Sequence, residues 1–414
     1  MYSGLSKQGS LDFSCYKELQ QCESFQKEVA FLGMEDLKMR GLTTLFSKEQ
    51  IPVWVCVLLI VILLLWNTGF TSVFQESEIC AATVTETDNS QIIDTGLIQS
   101  GEQRCGLCFL YGSFKGQEAV GSNMLNGSLE QDKIFQQGDI ALVRINYAGE
   151  EILSVSMIDH FRIPAELLLS GLFILLLILF AGKTGLRAVV SFVLTVLMIW
   201  KLLVPAYLRG MNPVWVGLGI TLALTLLIIA LVYGFDKRCL AAVSGSFLGI
   251  LVTCIMGILF TDFFKIHGAV MAYSESLLYS GYQHLSLTSI YMASIFIGAS
   301  GAIMDLSVDI TSAVYEVVCK RADLNWKEAV RSGMNVGRSA MGTMTTTLLF
   351  AYSGGYIALL MVFMAQGTPV SSILNYKYVA AELVHTMIGS FGLVTVAPFT
   401  AFCAGWFLCR NHAK

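Results

Sequence analysis

The residues best suited to chemistry form one polar line within an apolar segment, residues 294–316. Small and acidic side chains recur there at steps of three or four residues, which places them on one face of an α-helix. We call this line the acidic stripe; its members are Ser294, Gly298, Gly301, Asp305, Asp309, Ser312 and Glu316. A carboxylate at the bilayer centre costs about 2.5–3.5 kcal/mol on insertion scales. We therefore expect the stripe to face other helices or a wet cavity.

Asp305 lies closest to the apolar run and is the predicted coupling charge of an ion or proton relay. A carboxyl group in apolar surroundings can bind and release a proton near neutral pH. Asp309 and Glu316 follow on the same face as predicted exit-path acids. The alternative is that residues 305–316 have left the membrane and are solvated helix surface, which applies most to Glu316.

A second polar line runs over residues 331–353, where cations, amides and hydroxyls recur at helical spacing. Arg338 directly precedes the apolar part of this segment and is the predicted counter-charge of Asp305. Thr346 is the predicted relay hydroxyl. The alternatives are that Arg338 is an ordinary charge flanking a membrane helix and that the threonines hydrogen-bond between helices.

Glu382 and His385 share a helix face at i, i+3 and form a possible second polar site. Three interpretations stay open: a charged pair near a helix end, a second proton or substrate site, or a metal-ligand pair. Glu-x-x-His occurs as a ligand pair in helical bundles, but there it is repeated. This chain has one copy, so no metal site is predicted.

Small residues at four-residue spacing over 245–261 predict a seam of close helix packing. A smooth surface for a sliding helix is the alternative. Packing is also expected of two glycines in the acidic stripe. The predicted helix-packing glycines are Gly245, Gly249, Gly298 and Gly301.

Three of the eleven cysteines fall in the predicted outer domain, namely Cys80, Cys105 and Cys108. We expect one structural disulfide within this trio, with one thiol left over. Cys105 and Cys108 also have CxxC spacing, which can bind metal or carry out redox chemistry. No second such pair is present, so the disulfide is preferred.

Composition sets the class of protein. Of 414 residues, 55% are hydrophobic and 14% charged, and the mean hydropathy is +0.66. Soluble domains carry about 25% charged residues, so a soluble enzyme and a disordered chain are excluded. The net charge of −4 excludes a free nucleic-acid binder. No phosphate-binding loop, nucleophile elbow or dinucleotide fingerprint is present, so neither enzymatic activity nor a cofactor is predicted.

Apolar runs of about 20 residues are long enough to span a bilayer of about 30 Å. They predict an α-helical polytopic membrane protein with about eight transmembrane helices. The predicted spans are 51–70, 163–182, 188–207, 212–234, 239–262, 285–304, 340–365 and 379–409.

Five regions follow from these spans. Residues 1–50 form a polar cytoplasmic segment, 51–70 an anchor helix, 161–409 a seven-helix membrane domain and 410–414 a cytoplasmic tail. Residues 71–160 carry thirteen acidic against four basic side chains, a net charge of −9. Turn signals alternate there with short apolar runs, which predicts a small β-rich domain between helices 1 and 2.

The positive-inside rule orients the chain. Basic residues at 183–187, 237–238, 319–338 and 410–414 favour the cytoplasmic side. Eight spans with both termini in the cytoplasm satisfy all four groups. This arrangement places the 71–160 domain outside the cell membrane. It also places the amphipathic segment 263–284 outside, as a re-entrant or surface helix.

Over residues 160–409 the sequence resembles the YibE/F family of bacterial multi-pass membrane proteins. The stretches that carry the resemblance are Leu203–Pro213, Gly298–Glu316, Gly337–Tyr352 and Gly389–Thr400. The family is regarded as transporters without an agreed substrate. The resemblance therefore implies a transporter class and no cargo.

A weaker resemblance concerns the site alone. A Gly-rich helix, an intramembrane Asp, a trailing Glu and then a Thr-rich helix are similar to the proton-relay core of SecD-type and resistance-nodulation-division proteins. This resemblance implies that Asp305 takes the proton and that Thr346, on the next helix, is the relay hydroxyl that interacts with it.

Two hypotheses remain. The first is a proton- or ion-coupled transporter of an unidentified ion or small molecule, with its relay centred on Asp305. The alternative is a non-transporting scaffold or accessory subunit, whose polar stripe binds another membrane protein. The bilayer is the certain partner under both, and a homo-oligomer or a second membrane subunit fits either.

Overall fold

A computed structural model describes residues 50–69, 76–321 and 324–409 of the chain. The chain divides into two compact units, Gly69–Gly185 and the remainder on either side of it. The predicted tail 410–414 and nearly all of the predicted cytoplasmic segment 1–50 lie outside the described residues.

Five strands in the first unit close into a barrel in the order β1-β2-β3-β5-β4, with β4 pairing back onto β1. All neighbouring pairs are antiparallel except β3 with β5. This arrangement is typical of the five-stranded OB-fold barrel. The β-rich region predicted between the first two apolar segments is thereby confirmed. The strands are β1 Ser77–Asp94, β2 Gln99–Phe109, β3 Glu118–Asn126, β4 Ile140–Ala148 and β5 Glu151–His160.

Every second side chain along a strand points inward, and these side chains fill the interior of the barrel. On β4, Ala141, Val143 and Ile145 are buried while their neighbours point outward. A bulge in β1 brings its backbone against β2, where a Cβ atom on Gly101 would lie 2.2 Å from the carbonyl oxygen of Gln91. With φ at +116°, that position also needs glycine for its backbone conformation.

The helices make up the rest of the described chain. Helix α2 is interrupted at Gly182, where φ is +53°, and it continues through a π-helical turn, Ile199–Leu203, into α3. Helix α11 contains Pro398 within its length. The helices are α1 Ile51–Leu65, α2 Ile163–Met198, α3 Val204–Leu208, α4 Pro213–Tyr233, α5 Lys237–Phe263, α6 Ser274–Tyr279, α7 Leu287–Lys320, α8 Trp326–Ser353, α9 Ile357–Ala365, α10 Val370–Leu374 and α11 Lys377–Cys409.

Local sequence explains where several helices begin. Pro213 occupies the first turn of α4, where a missing N–H costs nothing. The Asn212 side chain accepts a hydrogen bond of 3.0 Å from the Val214 N–H. Ser286 caps α7 by accepting from the Ser289 N–H at 3.3 Å.

Six helices in the described part of the chain are long and apolar enough to cross a membrane, so the predicted count of eight is not confirmed. The difference arises at two places. Helix α1 has 15 residues, fewer than a full span needs. The predicted spans 163–182 and 188–207 fall in one continuous helical stretch, Ile163–Leu208.

Two cations hold the end of α1. Lys201 donates to the carbonyl of Trp66 at 3.2 Å, and Arg209 donates to the carbonyl of Thr68 at 2.8 Å. Carbonyl groups at a helix C-terminus are unpaired within the helix and carry partial negative charge. These contacts explain two basic residues at the end of an otherwise apolar segment.

Helix α7 lies at the centre of the bundle and packs against α4, α5, α8 and α11. Close approach of α5 and α11 depends on the predicted small residues. A Cβ atom on Gly245 would lie 2.1 Å from Thr400 Oγ1, and one on Gly249 would lie 2.9 Å from Val396 Cβ. Gly245 and Gly249 are therefore packing glycines in the structure.

The connection between α5 and α7, for which the sequence predicts a re-entrant or surface helix, is shorter and more broken than expected. It consists of a 3₁₀ turn, Gly268–Val270, and the six-residue α6. Ile266 and Val270 are buried and belong to an apolar cluster with the first turns of α7 and α11. Both helical pieces are too short to enter a bilayer deeply.

Candidate functional site

The whole acidic stripe lies on α7, a helix of 34 residues. Its members from Gly298 to Glu316 point away from the apolar core, and Asp305, Asp309 and Glu316 are exposed. The stripe therefore faces neighbouring helices of its own chain only at Gly298, which lies against Tyr352 and His385, and at Ser312, which contacts Tyr233. Its other members from Gly301 onward are open to the outside of the described bundle.

Packing of α7 against α5 sets the depth of the stripe. Gly249 faces Ile303 and Gly257 faces Met292, so the two helices run antiparallel. This register places Asp305 level with Ser246, about nine residues or about 13 Å inside the start of α5. Asp305 therefore lies within the apolar length of the bundle, whereas Glu316 is level with its end.

The acids of the stripe differ in their partners. Glu316 forms an ion pair with Lys320 at 2.6 Å, one helical turn on. Ser312 contacts the hydroxyl of Tyr233 at 2.6 Å. Within the described residues, Asp305 and Asp309 have neither a hydrogen bond nor an ion pair. The two carboxylates that lie level with the apolar part of the bundle are thus the ones without a counter-charge among the described residues.

The residues predicted on the next helix do not meet Asp305. Arg338 is exposed on α8 and has no ion pair within the described chain. The Thr346 hydroxyl donates to the carbonyl of Gly342, in its own helix, at 3.3 Å. Threonines 343, 345 and 347 likewise bond to carbonyls of α8. The predicted hydrogen bonds between helices are therefore not formed by these hydroxyls.

A second group of polar side chains is buried between α7, α8 and α11. Tyr352 Oη, Glu382 Oε1 and His385 Nε2 are inaccessible and have no hydrogen-bond partner in the described protein. The Tyr352 and His385 rings lie 4.5 Å apart between centroids, at an angle of 30°. The side chains of Tyr356 and Thr386 hydrogen-bond to the Glu382 carboxyl, so only its Oε1 atom lacks a partner. We call Tyr352, Tyr356, Glu382 and His385 the tyrosine–histidine cluster.

The tyrosine–histidine cluster adjoins the acidic stripe at Gly298. A Cβ atom there would lie 2.9 Å from Tyr352 Oη and 3.2 Å from His385 Nε2. The stripe and the predicted second polar site, separate in sequence, are therefore one continuous feature. Sequence reasoning missed Tyr352 and Tyr356, because their position opposite Glu382 and His385 depends on how α8 and α11 pack.

The two stripe glycines predicted to pack have different surroundings. Gly301 faces open space, with nothing within 4 Å of an added Cβ atom, and Gly298 faces side chains of the cluster. Gly298 therefore permits the close approach of Tyr352 and His385, whereas Gly301 makes no such contact. In the described residues, no three His, Cys, Asp or Glu side chains come close enough to hold a metal ion.

The three cysteines of the barrel are free thiols in the structure, so the disulfide predicted within this trio is not formed there. Cys105 and Cys108 are three residues apart on one strand, which directs their side chains to opposite faces. Burial raises the pKa of both Cys80 and Cys105 to about 11, and the neighbouring Glu78 carboxylate adds to the effect on Cys80.

Comparison with known proteins gives one match. The sequence matches the family model described as "YibE/F-like protein" over residues 169–410, more than half of the chain. No curated protein and no solved structure matches it. The matched region contains the entire acidic stripe and tyrosine–histidine cluster, on helices that are long and apolar enough to cross a membrane. The chain is therefore a membrane protein and belongs to the YibE/F-like family.

Proposed function

We propose that this protein is a proton- or ion-coupled membrane transporter whose relay runs along α7. The observation that carries the proposal is the set of buried, unpartnered polar atoms of Tyr352, Glu382 and His385. Leaving a buried polar group unpaired costs about 1–3 kcal/mol. Native proteins seldom keep such groups without a functional reason.

The relay has the length that a membrane crossing needs. From the cluster at Gly298 to Glu316 the helix rises about 27 Å, close to the roughly 30 Å of a bilayer core. Gly301 leaves open space beside the helix, which gives room for water. Protons would pass from the cluster to Asp305, the coupling charge, and leave by Asp309 and Glu316.

Orientation is part of the proposal. Basic residues at 183–187 and 237–238 favour the cytoplasmic side of a plasma membrane. The cluster would then open toward the outside and Glu316 toward the cytoplasm. The barrel would lie outside, where it would capture or release an ion or small molecule, and both termini would be cytoplasmic.

A flux assay in liposomes tests the relay. Purified protein is reconstituted around a pH-sensitive dye, and a proton gradient is imposed with wild type, Asp305→Asn and the control Glu275→Gln. Glu275 is an exposed acid on α6, away from the stripe. We expect flux in wild type and control and a loss of at least about tenfold in Asp305→Asn, as removal of an essential proton-transfer group causes. Wild-type flux in Asp305→Asn would remove Asp305 from the mechanism.

The scaffold alternative is favoured by one observation, the outward direction of the stripe. Charged side chains inside a membrane rarely face lipid, so a stripe on the outside of the bundle fits a contact with another protein. Under this alternative, wild-type liposomes show neither proton nor sodium flux. Asp305→Asn would then impair assembly while the purified chain stays folded.

A further inference from the structure

We propose that two copies of this chain associate side by side in the membrane, with Asp309 of each copy paired to Arg338 of the partner copy. The proposal stands on the geometry of α7 and α8 and does not require transport. It assigns a specific occupant, a second copy of the chain, to the open face of the acidic stripe.

The two side chains are available for such a contact. Asp309 and Arg338 are both exposed, and neither has an ion pair or hydrogen bond within the described chain. Intramembrane charges almost always face a protein interior or an aqueous cavity and pair with one another. An exposed acid and an exposed base on adjacent helices therefore call for partners outside the described residues, and a second copy supplies both.

The acid and the base lie at the same depth. Helices α7 and α8 run antiparallel, with Gly333 against Val314 and Gly337 against Ile310. Continuing this register by one step places Arg338 level with Asp309. A two-fold axis along the membrane normal keeps depth unchanged, so Asp309 of one copy meets the level of Arg338 on the other.

Both side chains also border the same groove. Tyr352 of α8 lies against Gly298 of α7. Gly298 and Asp309 are about three turns apart and share a face of α7, and Arg338 lies about four turns from Tyr352 on nearly the same face of α8. The acidic stripe and the Arg338 face therefore flank one α7–α8 groove on the outside of the bundle.

Symmetry makes this surface complementary to itself. In a two-fold interface the same patch is used on both copies, so a contact between residues i and j forms twice. A patch with one acid and one base at equal depth satisfies this condition. A different membrane protein would have to supply both charges separately, whereas a second copy brings them in the required arrangement.

Two single charge reversals test the proposal in the full-length protein. Asp309→Arg places arginine at both positions of the proposed contact, and Arg338→Asp places aspartate at both. Each variant alone should repel its own copies, because like charges face each other across both contacts. When the two variants are mixed, one chain supplies only arginine and the other only aspartate at these two positions. Both ion pairs of the interface are then restored.

The measurement uses two affinity tags on co-expressed chains in detergent or nanodiscs, together with the mass from light scattering. We expect wild type to co-purify with itself, each variant to lose self-association by about tenfold or more, and the mixed variants to regain it. Recovery in the mixture also shows that both variants are folded. A matched pair away from the groove, Glu275→Arg with Lys377→Asp, should leave association unchanged.

Three outcomes would overturn the proposal. A monomeric wild type excludes self-association, and co-purification of a stable unrelated membrane protein with that monomer assigns the face to another partner. Unchanged self-association of the single variants places the contact elsewhere. Loss without recovery in the mixture means that the two residues do not pair between copies. Proton flux is measured separately, so failure of the relay and failure of the dimer remain distinguishable.

Discussion

Both the β-barrel and the helical bundle bury polar side chains, but the Gln103 amide of the barrel is more completely paired than the tyrosine–histidine cluster of the bundle, although Asn123 Oδ1 beside Gln103 has no partner in the described residues. In the barrel, the amide of Gln103 is fully buried and bonded at both ends, to Phe135, Asn89 and Asn123 at 2.8–3.0 Å. In the bundle, Tyr352, Glu382 and His385 keep buried atoms without partners. A satisfied polar network fixes a structure, whereas the unpaired atoms of the cluster are, under the proposed function, where a proton is held or moved.

The carboxylates of the barrel and of the bundle also differ in the hydrogen bonds that they accept. In the barrel, Asp132 accepts hydrogen bonds from the N–H groups of Asn126 and Ser128, and these bonds lower the pKa of its carboxyl. Its charge is therefore held in place and stabilises a loop. Asp305 and Asp309 in the bundle have no such donors within the described chain. Asp132 therefore serves the fold, whereas Asp305 and Asp309 are the acids to which the proposed function assigns a role.

The largest effect is expected at the tyrosine–histidine cluster. Glu382→Gln keeps the size of the side chain and removes its ability to carry a proton. We expect proton flux in liposomes to fall by about tenfold or more, as loss of a general acid–base group does. Glu328→Gln, an exposed acid in the first turn of α8, is the matched control. Undiminished flux in Glu382→Gln would make the cluster structural, like the network in the barrel.

The next effect tests the satisfied network itself. Gln103→Leu removes the partner of the Phe135 N–H and carbonyl and one of the two acceptors of the Asn123 amide, which keeps its bond to the Lys133 carbonyl. Unpaired buried groups of this kind cost about 1–3 kcal/mol each, so the local free energy of unfolding should fall by roughly 3 kcal/mol. Amide hydrogen exchange in the full-length protein measures this fall in local stability, and we expect faster exchange in β2 and β3. Gln99→Leu alters an exposed amide and should change exchange little; equal effects would contradict the role given to burial.

A smaller effect separates packed glycines from open ones. Gly245→Ala forces a methyl group against Thr400, whose Cα would lie 2.7 Å away. Overpacking of this kind costs about 1–3 kcal/mol. Gly301→Ala enters open space and should leave thermal stability unchanged or slightly higher. Melting temperatures in detergent decide the matter, and equal losses in both variants would mean that Gly301 is also packed.

The smallest effect concerns thiol reactivity in the barrel. Only the thiolate reacts readily, and pKa values of about 11 keep Cys80 and Cys105 protonated at neutral pH. Alkylation of these two should stay slow from about pH 7 to 9 and rise only as the pH approaches about 11. Cys108 is half-buried and should react first, as peptide mass spectrometry can measure. Complete protection of Cys108 would indicate a disulfide instead.

An impermeant maleimide applied to intact cells extends this comparison to orientation. If the barrel lies outside the plasma membrane, as proposed, Cys108 is labelled without permeabilisation. Labelling that requires permeabilised cells would place the barrel in the cytoplasm and reverse the proposed direction of the relay.

Much of the layout could be predicted from the sequence, because period and composition are local properties. The acidic stripe falls on one face of α7 as predicted, and the β-rich region and the family are confirmed. The direction of that face could not be predicted. Helical spacing shows which side chains share a face, but not what that face contacts. For this reason the sequence predicts a contact between Arg338 and Asp305 that the structure does not show, and predicts packing at Gly301, which faces open space.

The sequence by itself determined the membrane class, the family, the β-rich insertion and the residues that share the stripe, since each depends on composition or short-range spacing. Only the tertiary structure decided that Glu382 and His385 meet the stripe at Gly298, that Asp309 and Arg338 are level yet unpaired within the described chain, and that six helices reach crossing length there. These facts depend on the register between helices far apart in the chain. That register is set by the packing of small residues such as Gly249 and Gly337.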